Sequence, residues 1–333
     1  MNRSLFSVLL AVVLTISYVQ AQPPQQGQAQ QPRRFHGQFV EHFDAPSSRY
    51  FNPVISRTRD SLHRRYLQGI PSVSDKETHS IMLMRIDPGD PAGAGRGPEI
   101  VSRDFTHFGS YAVRLKVADV TKVQPDLGAV VGYFTYTVDP VYGQSEVDWE
   151  WLIADPEVLY IGTWTGVRPH YNRIGRTLNM ATGQIYSTSW RAGTNVGGVQ
   201  TFTEREQFTG EDNQPETIQP IEGFNASSQF YTYGFDWYPD RMIWWIIHPV
   251  TEERIILWDY KGVVEVFPGQ LSPHGIPPNP SRYRLNYWHT NNWPVQTNPN
   301  SIEAPLFPYG LEIDWMSYTP FEDLNRAYQE QNR

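Results

Sequence analysis

The sequence contains no cysteine. That absence excludes disulfides, thiolate metal sites, a cysteine nucleophile and a lipid-bearing cysteine. Basic charge is also short: 27 Lys and Arg stand against 35 Asp and Glu, a formal net charge of −8 at pH 7. A chain of that sign is a poor partner for nucleic acid or an anionic membrane. The nine histidines are scattered without metal-ligand spacing, and neither G-x-S-x-G nor a phosphate-binding glycine loop occurs. No long stretch repeats its apolar residues at helical spacing, and after the first residues no apolar run reaches transmembrane length.

What is present begins with MNRSLFSVLLAVVLTISYVQA, residues 1–21. A short basic start, an apolar run from Leu5 to Ile16 and small residues at Val19 and Ala21 predict a cleaved signal peptide and a secreted protein, extracellular or periplasmic. The run is too short for a membrane anchor, so no membrane association is expected after cleavage. Losing Arg3 with the signal would take the charge from −8 to −9. Residues 22–34, QPPQQGQAQQPRR, read as a Gln/Pro-rich disordered linker. From 35 to 322 the texture is uniform, and residues 323–333 form a polar C-terminal tail that could make a frayed helix. Runs such as SIMLMRID, SYAVRLKV, VLYIGTWT and RMIWWII are rich in β-branched and aromatic residues. Gly, Pro, Asn and Asp clusters separate them. Many short, evenly spaced strands predict an all-β protein, a sandwich of two antiparallel sheets. With 11 Trp, 19 Tyr and 16 Phe, the core can be large without staples, and the surface suits a neutral partner that stacks on rings.

The stretch SEVDWEW, residues 145–151, is the most unusual. Glu146, Asp148 and Glu150 alternate with Val147, Trp149 and Trp151, so on a strand the acids share one face and the apolar residues the other. Like charges stacked on one face repel. Four residues span about 13 Å of strand, and two glutamates leaning together by roughly 4 Å each bring their carboxyls to about 5–6 Å. That separation suits a retaining glycosidase, in which one carboxylate attacks the sugar and the other protonates the leaving oxygen. Asp148, between them, can share a proton with a neighbour. Three acids so spaced also suit a solvated edge strand or a calcium cradle. Two Trp on the buried side argue for a central strand, where carboxylates are not needed for solubility.

The flanks of this strand resemble glycoside hydrolase family 16, the β-jelly-roll β-glucanases and transglycosylases, with motifs similar to the bacterial lichenase type. E-x-D-x-E matches Glu146, Asp148 and Glu150; YFTYT at 133–137, FDWYPDRMIWWI at 235–246, LNYWHTNNW at 285–293 and LEIDWMSYT at 311–319 follow the family's order. The resemblance runs from about Ser110 to Thr319. It implies a concanavalin-like jelly roll with a substrate cleft on its concave face, and an endo-acting enzyme on a β-glucan-type polysaccharide. Glu146 would be the nucleophile, Glu150 the acid/base and Asp148 their auxiliary. Arg114, Phe134, Tyr136, Trp164, Asn286, Trp288 and Trp293 would line the sugar path. No cofactor is required for such chemistry; Asp314 matches a structural Ca²⁺ ligand of some relatives. A monomer is expected.

The pattern departs from the family at several points. Ala112 stands where lichenases carry a Glu, Gln144-Ser145 replace a Trp-Asp pair, and an Asn-x-Tyr falls on Gly162 and Trp164. The segment 168–228 is also longer than in the compact bacterial enzymes. Strict mixed-linkage specificity is therefore not implied. Two other readings share the sandwich: a cell-wall transglycosylase, told apart by its acceptor, and a lectin-like binding module with idle carboxylates.

Overall fold

The computed structural model describes residues 34–45, 47–54, 65–67, 81–93, 96–140, 143–196, 199–206, 217–261, 264–267, 270–272 and 275–331. The expected signal peptide and all of the expected linker except Arg34 lie outside the described residues.

Strands alternate because apolar and polar residues alternate along them, and two antiparallel sheets result. The larger has the order β12-β11-β10-β9-β8-β7-β18-β5-β2. Its members are β2 (Phe51–Val54), β5 (Glu99–Ser102), β7 (Ala129–Asp139), β8 (Gly143–Leu152), β9 (Val158–Gly166), β10 (His170–Asn179), β11 (Ile185–Val196), β12 (Val199–Glu206) and β18 (Arg282–His289). The second has the order β15-β14-β13-β6-β19-β4-β3, with β1 also paired to β19. It comprises β1 (Phe39–Glu41), β3 (Arg65–Leu67), β4 (Ile81–Ile86), β6 (Gly109–Lys116), β13 (Tyr231–Trp237), β14 (Met242–Ile247), β15 (Arg254–Tyr260) and β19 (Tyr309–Pro320). A small ribbon pairs β16 (Val264–Phe267) with β17 (Gln270–Ser272). This is the all-β, two-sheet jelly-roll sandwich that the sequence predicts. No helix among the described residues is long and apolar enough to cross a membrane.

The acidic strand, β8, lies at the centre of the nine-stranded sheet, between β7 and β9. Val147, Trp149 and Trp151 are fully buried between the sheets. The two indoles stack with centroids 5.6 Å apart, and Tyr233 of β13 meets both edge-on at 5.3 and 4.8 Å. Hydrogen bonds cross the core in both directions: Trp149 Nε1 donates to the Gly234 carbonyl and Trp244 Nε1 donates to the Asp148 carbonyl, each at 3.2 Å. A buried indole N–H needs such an acceptor. The apolar half of SEVDWEW therefore anchors the strand whose other half carries the acids.

The C-terminal residues are helical, as the sequence allowed, but docked rather than frayed. They form helix α1 (Glu322–Gln331), which packs on the domain. Its Leu324 and Tyr328, one turn apart, pack against the core, and Tyr328 meets the buried His107 ring edge-on at 4.4 Å. Asn325 Nδ2 donates to the Phe108 carbonyl at 2.7 Å. A mostly polar segment thus docks through two side chains at i, i+4, a stripe too narrow to stand out in sequence.

Candidate active site

Antiparallel register decides which side chains stand beside the three acids on the face of the nine-stranded sheet turned away from the core. Glu146 pairs with Tyr136 of β7 and Trp164 of β9, and Trp164 pairs in turn with Arg173 of β10. Asp148 pairs with Phe134 and Gly162, with Gly175 beyond Gly162 and Arg284 beyond Phe134. Glu150 pairs with Gly132 and Tyr160, with Asn286 beyond Gly132. Trp288 continues the face one row further, packing with Val130, Leu152, Val295 and Trp293. Trp293 meets Tyr160 edge-on at 5.9 Å and lies 6.5 Å from Trp288. Tyr133 and Thr135, of the opposite parity on β7, are buried in the core.

The structure thus brings Glu146, Asp148, Glu150, Phe134, Tyr136, Trp164, Asn286, Trp288 and Trp293 onto one face. It does not bring Arg114 there. Arg114 lies on β6 of the other sheet between the inward-facing Val113 and Leu115, so it points to the far outer surface. Its Nη1 pairs with Asp314 at 2.6 Å, and its guanidinium covers the Phe230 ring at 5.1 Å. Asp314, offered by the sequence as a calcium ligand, is the fully buried anion of that pair. Calcium takes six to eight oxygen donors, and no group of three or more His, Asp or Glu placed to hold a metal occurs among the described residues. The set at Asp314 does not fit such an ion.

Small residues shape the site. Tyr160 lies flat across Gly162 and Gly175: a Cβ on either would meet its hydroxyl at 2.5 Å. Asn286 lies over Gly132 in the same way, where a Cβ would come 2.4 Å from its Oδ1. That oxygen is buried, accepts no hydrogen bond among the described residues and stands beside Glu150.

Electrostatically the acids are held out of water, and burial pushes all three up. Glu146 rises to about 7, restrained by the amide that Gln144 donates to its carboxylate and by the guanidinium groups of Arg284 and Arg173. Glu150 rises to about 8, restrained by Arg173 and pushed up by Glu146. Asp148, between two acids, is raised well above the usual range by burial and both glutamates. Gln144 and Arg284 thus favour the ionised form at the Glu146 end and have no counterpart at Glu150.

Sequence reasoning missed Arg173, Tyr160, Arg284 and Glu99. Arg284, which pairs with Glu99 at 2.7 Å, shares parity with Asn286 two residues on, and that signal was available. Tyr160 likewise shares parity with Trp164 on β9, whereas Arg173 depends on the register of β9 with β10, which has no local signature.

No known protein-family model matches the chain. Over 236 residues it is 24% identical to a protein named beta-glucanase from Brevibacillus brevis, covering 68% of this chain and 61% of that protein. A second beta-glucanase, from Paenibacillus macerans, aligns over 223 residues at 23% identity, 66% of this chain and 63% of the relative. The chain thus spans about three fifths of the length of these curated relatives. Among solved structures, a prokaryotic β-1,3-1,4-glucanase (lichenase) from a mouse hindgut metagenome superposes with TM-score 0.49 at 16% identity, covering 86% of this chain and all of that one. The beta-glucanase of Bacillus licheniformis gives 0.45 at 16% identity, over 85% of this chain and 98% of that one.

Proposed function

We propose that the protein is an exported glycoside hydrolase that cleaves a β-glucan-type polysaccharide internally with retention of configuration. The observation that carries this reading is the buried carboxylate row on β8, with Glu146 and Glu150 on one face among Phe134, Tyr136, Trp164 and Tyr160. The weak likeness to curated beta-glucanases supports the same class. Aromatic faces stack on the apolar faces of pyranose rings, and the Asn286 Oδ1, which meets no donor among the described residues, can accept from a sugar hydroxyl.

In the first half-reaction the Glu146 carboxylate attacks the anomeric carbon while the Glu150 carboxyl gives its proton to the glycosidic oxygen. The C–O bond to the leaving sugar breaks and an ester to Glu146 forms. In the second, the Glu150 carboxylate takes a proton from water, whose oxygen adds to the anomeric carbon and frees Glu146. Asp148, protonated between them, can donate to the Glu146 carboxylate and keep the two glutamates in opposite states. The scheme needs no cofactor.

The test is hydrolysis of laminarin, lichenan and barley glucan by Glu146→Gln and Glu150→Gln. Each should lose at least about a thousandfold in kcat with the fold intact, and the wild-type product should emerge as the β-anomer by NMR. Wild-type rates in either variant overturn the assignment. Adding an oligosaccharide acceptor separates hydrolysis from transglycosylation: longer products would mark the latter. Activity should follow a bell in pH. It rises as Glu146 ionises near pH 7 and falls as Glu150 loses its proton near pH 8.

A further inference from the structure

Arg173 is an unusual side chain to find beside this row. It is 8% exposed, and β10 carries it to the strand position two ladders from Glu146. Its guanidinium is clamped between rings, with its carbon 4.8 Å from the Tyr160 centroid and 5.2 Å from the Trp164 centroid. Nε donates to the Tyr160 hydroxyl at 2.8 Å, and the two terminal nitrogens meet no hydrogen-bond acceptor among the described residues. A buried guanidinium without a carboxylate contact is costly unless opposite charge stands near. Between Asp148 and Arg173 the sheet carries only Gly162 and Gly175 and the Tyr160 ring that lies across them, while Trp164 stands between Arg173 and Glu146.

Other charged and titratable groups stand around the row: Tyr171, two residues before Arg173 on β10, meets the Trp164 ring at 5.7 Å, and Arg191 of β11 lies opposite Arg173 in the ladder. Tyr136 comes from β7 and Tyr160 from β9. From β18, Arg284 is paired with Glu99 of β5, and Arg282 turns to the carbonyls of Ser102 and Arg103. Gln144 on β8 is neutral.

We propose that Arg173 is a positioning residue that serves as the fixed counter-charge of the carboxylate row, held in place by Tyr160 and Trp164 rather than by an acid of its own. Ring faces and one hydroxyl fix its geometry without neutralising it, so its field remains directed at Glu146, Asp148 and Glu150. The acids in turn give the buried cation its balance. The guanidinium favours the ionised form of all three carboxyls, in agreement with this placement. The role assigned to Arg173 in turnover rests on the hydrolase reading, whereas its electrostatic action on the row does not.

The test reads the carboxyls directly. Carboxyl ¹³C NMR of the glutamate-labelled protein, without substrate, should show Glu146 and Glu150 titrating about one pH unit higher in Arg173→Gln than in the wild type. Arg173→Lys, which keeps the charge, should restore most of the difference. Tyr160→Phe removes only the anchoring hydrogen bond and should move the same resonances less, in the same direction; it decides the matter if Arg173→Gln does not fold. The acid limb of kcat/KM should move upward with the Glu146 resonance, with KM changing less than kcat. Unmoved carboxyl titrations in a folded Arg173→Gln, or in Tyr160→Phe should the first variant fail to fold, overturn the proposal. Since the titration needs no turnover, an active Glu146→Gln would sink the hydrolase reading and leave this result standing.

Discussion

At the scale of single residues, Glu146 and Glu150 show how one side-chain type meets two electrostatic settings on one strand. Burial raises both, but Glu146 accepts from Gln144 and feels Arg284, while Glu150 has neither among its restraining groups. Replacing Gln144 with Leu removes a donor to the ionised form. The acid limb of the pH–rate profile should therefore move upward from near pH 7, toward the limb set by Glu150, and the bell should narrow. Trp288 is a second case. It is 6% exposed and packed by Val130, Leu152 and Val295, so it serves the fold in addition to its place on the proposed sugar path. Trp288→Ala should raise KM for long oligosaccharides and also cost about 3 kcal/mol of stability, readable by denaturant unfolding.

At the scale of elements, the site is an agreement between neighbouring strands. Gly132 of β7 faces Glu150 on one side and Asn286 on the other, and its missing side chain lets Asn286 lie across it. Gly132→Ala should displace the Asn286 amide, because the new methyl would come 2.4 Å from Oδ1. Activity should fall about tenfold or more with little loss of stability, checked by kcat/KM beside thermal unfolding. Parity along β7 and β8 was readable from the residues, since Tyr133 and Thr135 against Phe134 and Tyr136 form two clean faces. Which of those faces is core became certain only from Trp149 and Trp151 meeting β13 across the sandwich. Arg114 shows the converse. Alternation on β6 tells that Arg114 opposes Val113 and Leu115 but not in which sheet the strand sits, and the placement implied by resemblance puts it on the wrong surface.

At the scale of the whole molecule, three buried carboxyls make stability depend on pH. Each acid's folded value lies above its unfolded one, so the folded state binds more protons across the interval between them. Their contribution is most favourable below the ordinary carboxylate range and is lost as pH rises through about 7 to 8. The melting temperature should decline between pH 5 and pH 9, and Glu150→Gln should flatten that slope while raising the value at pH 9 by a few degrees. A slope unchanged in the variant would mean that Glu150 is not the group responsible. A cysteine-free sandwich can carry this destabilising row because its core is large, with indoles of both sheets interlocked through their N–H groups.

The amino-acid sequence by itself determined the two-faced strands, and with them the all-β class and the acid row; the aromatic positions beside the row were implied by a resemblance of motifs. Alternation is a local property, and burial of one face follows from it directly. Tertiary structure alone decided the partners across the strands: Arg173 and Tyr160 beside the acids, Arg284 tied to Glu99, Arg114 with Asp314 on the far sheet, and a polar tail docked as a helix. Those pairings depend on sheet order and register, which are set by the packing of residues far apart in the chain and leave no mark on any single stretch of it.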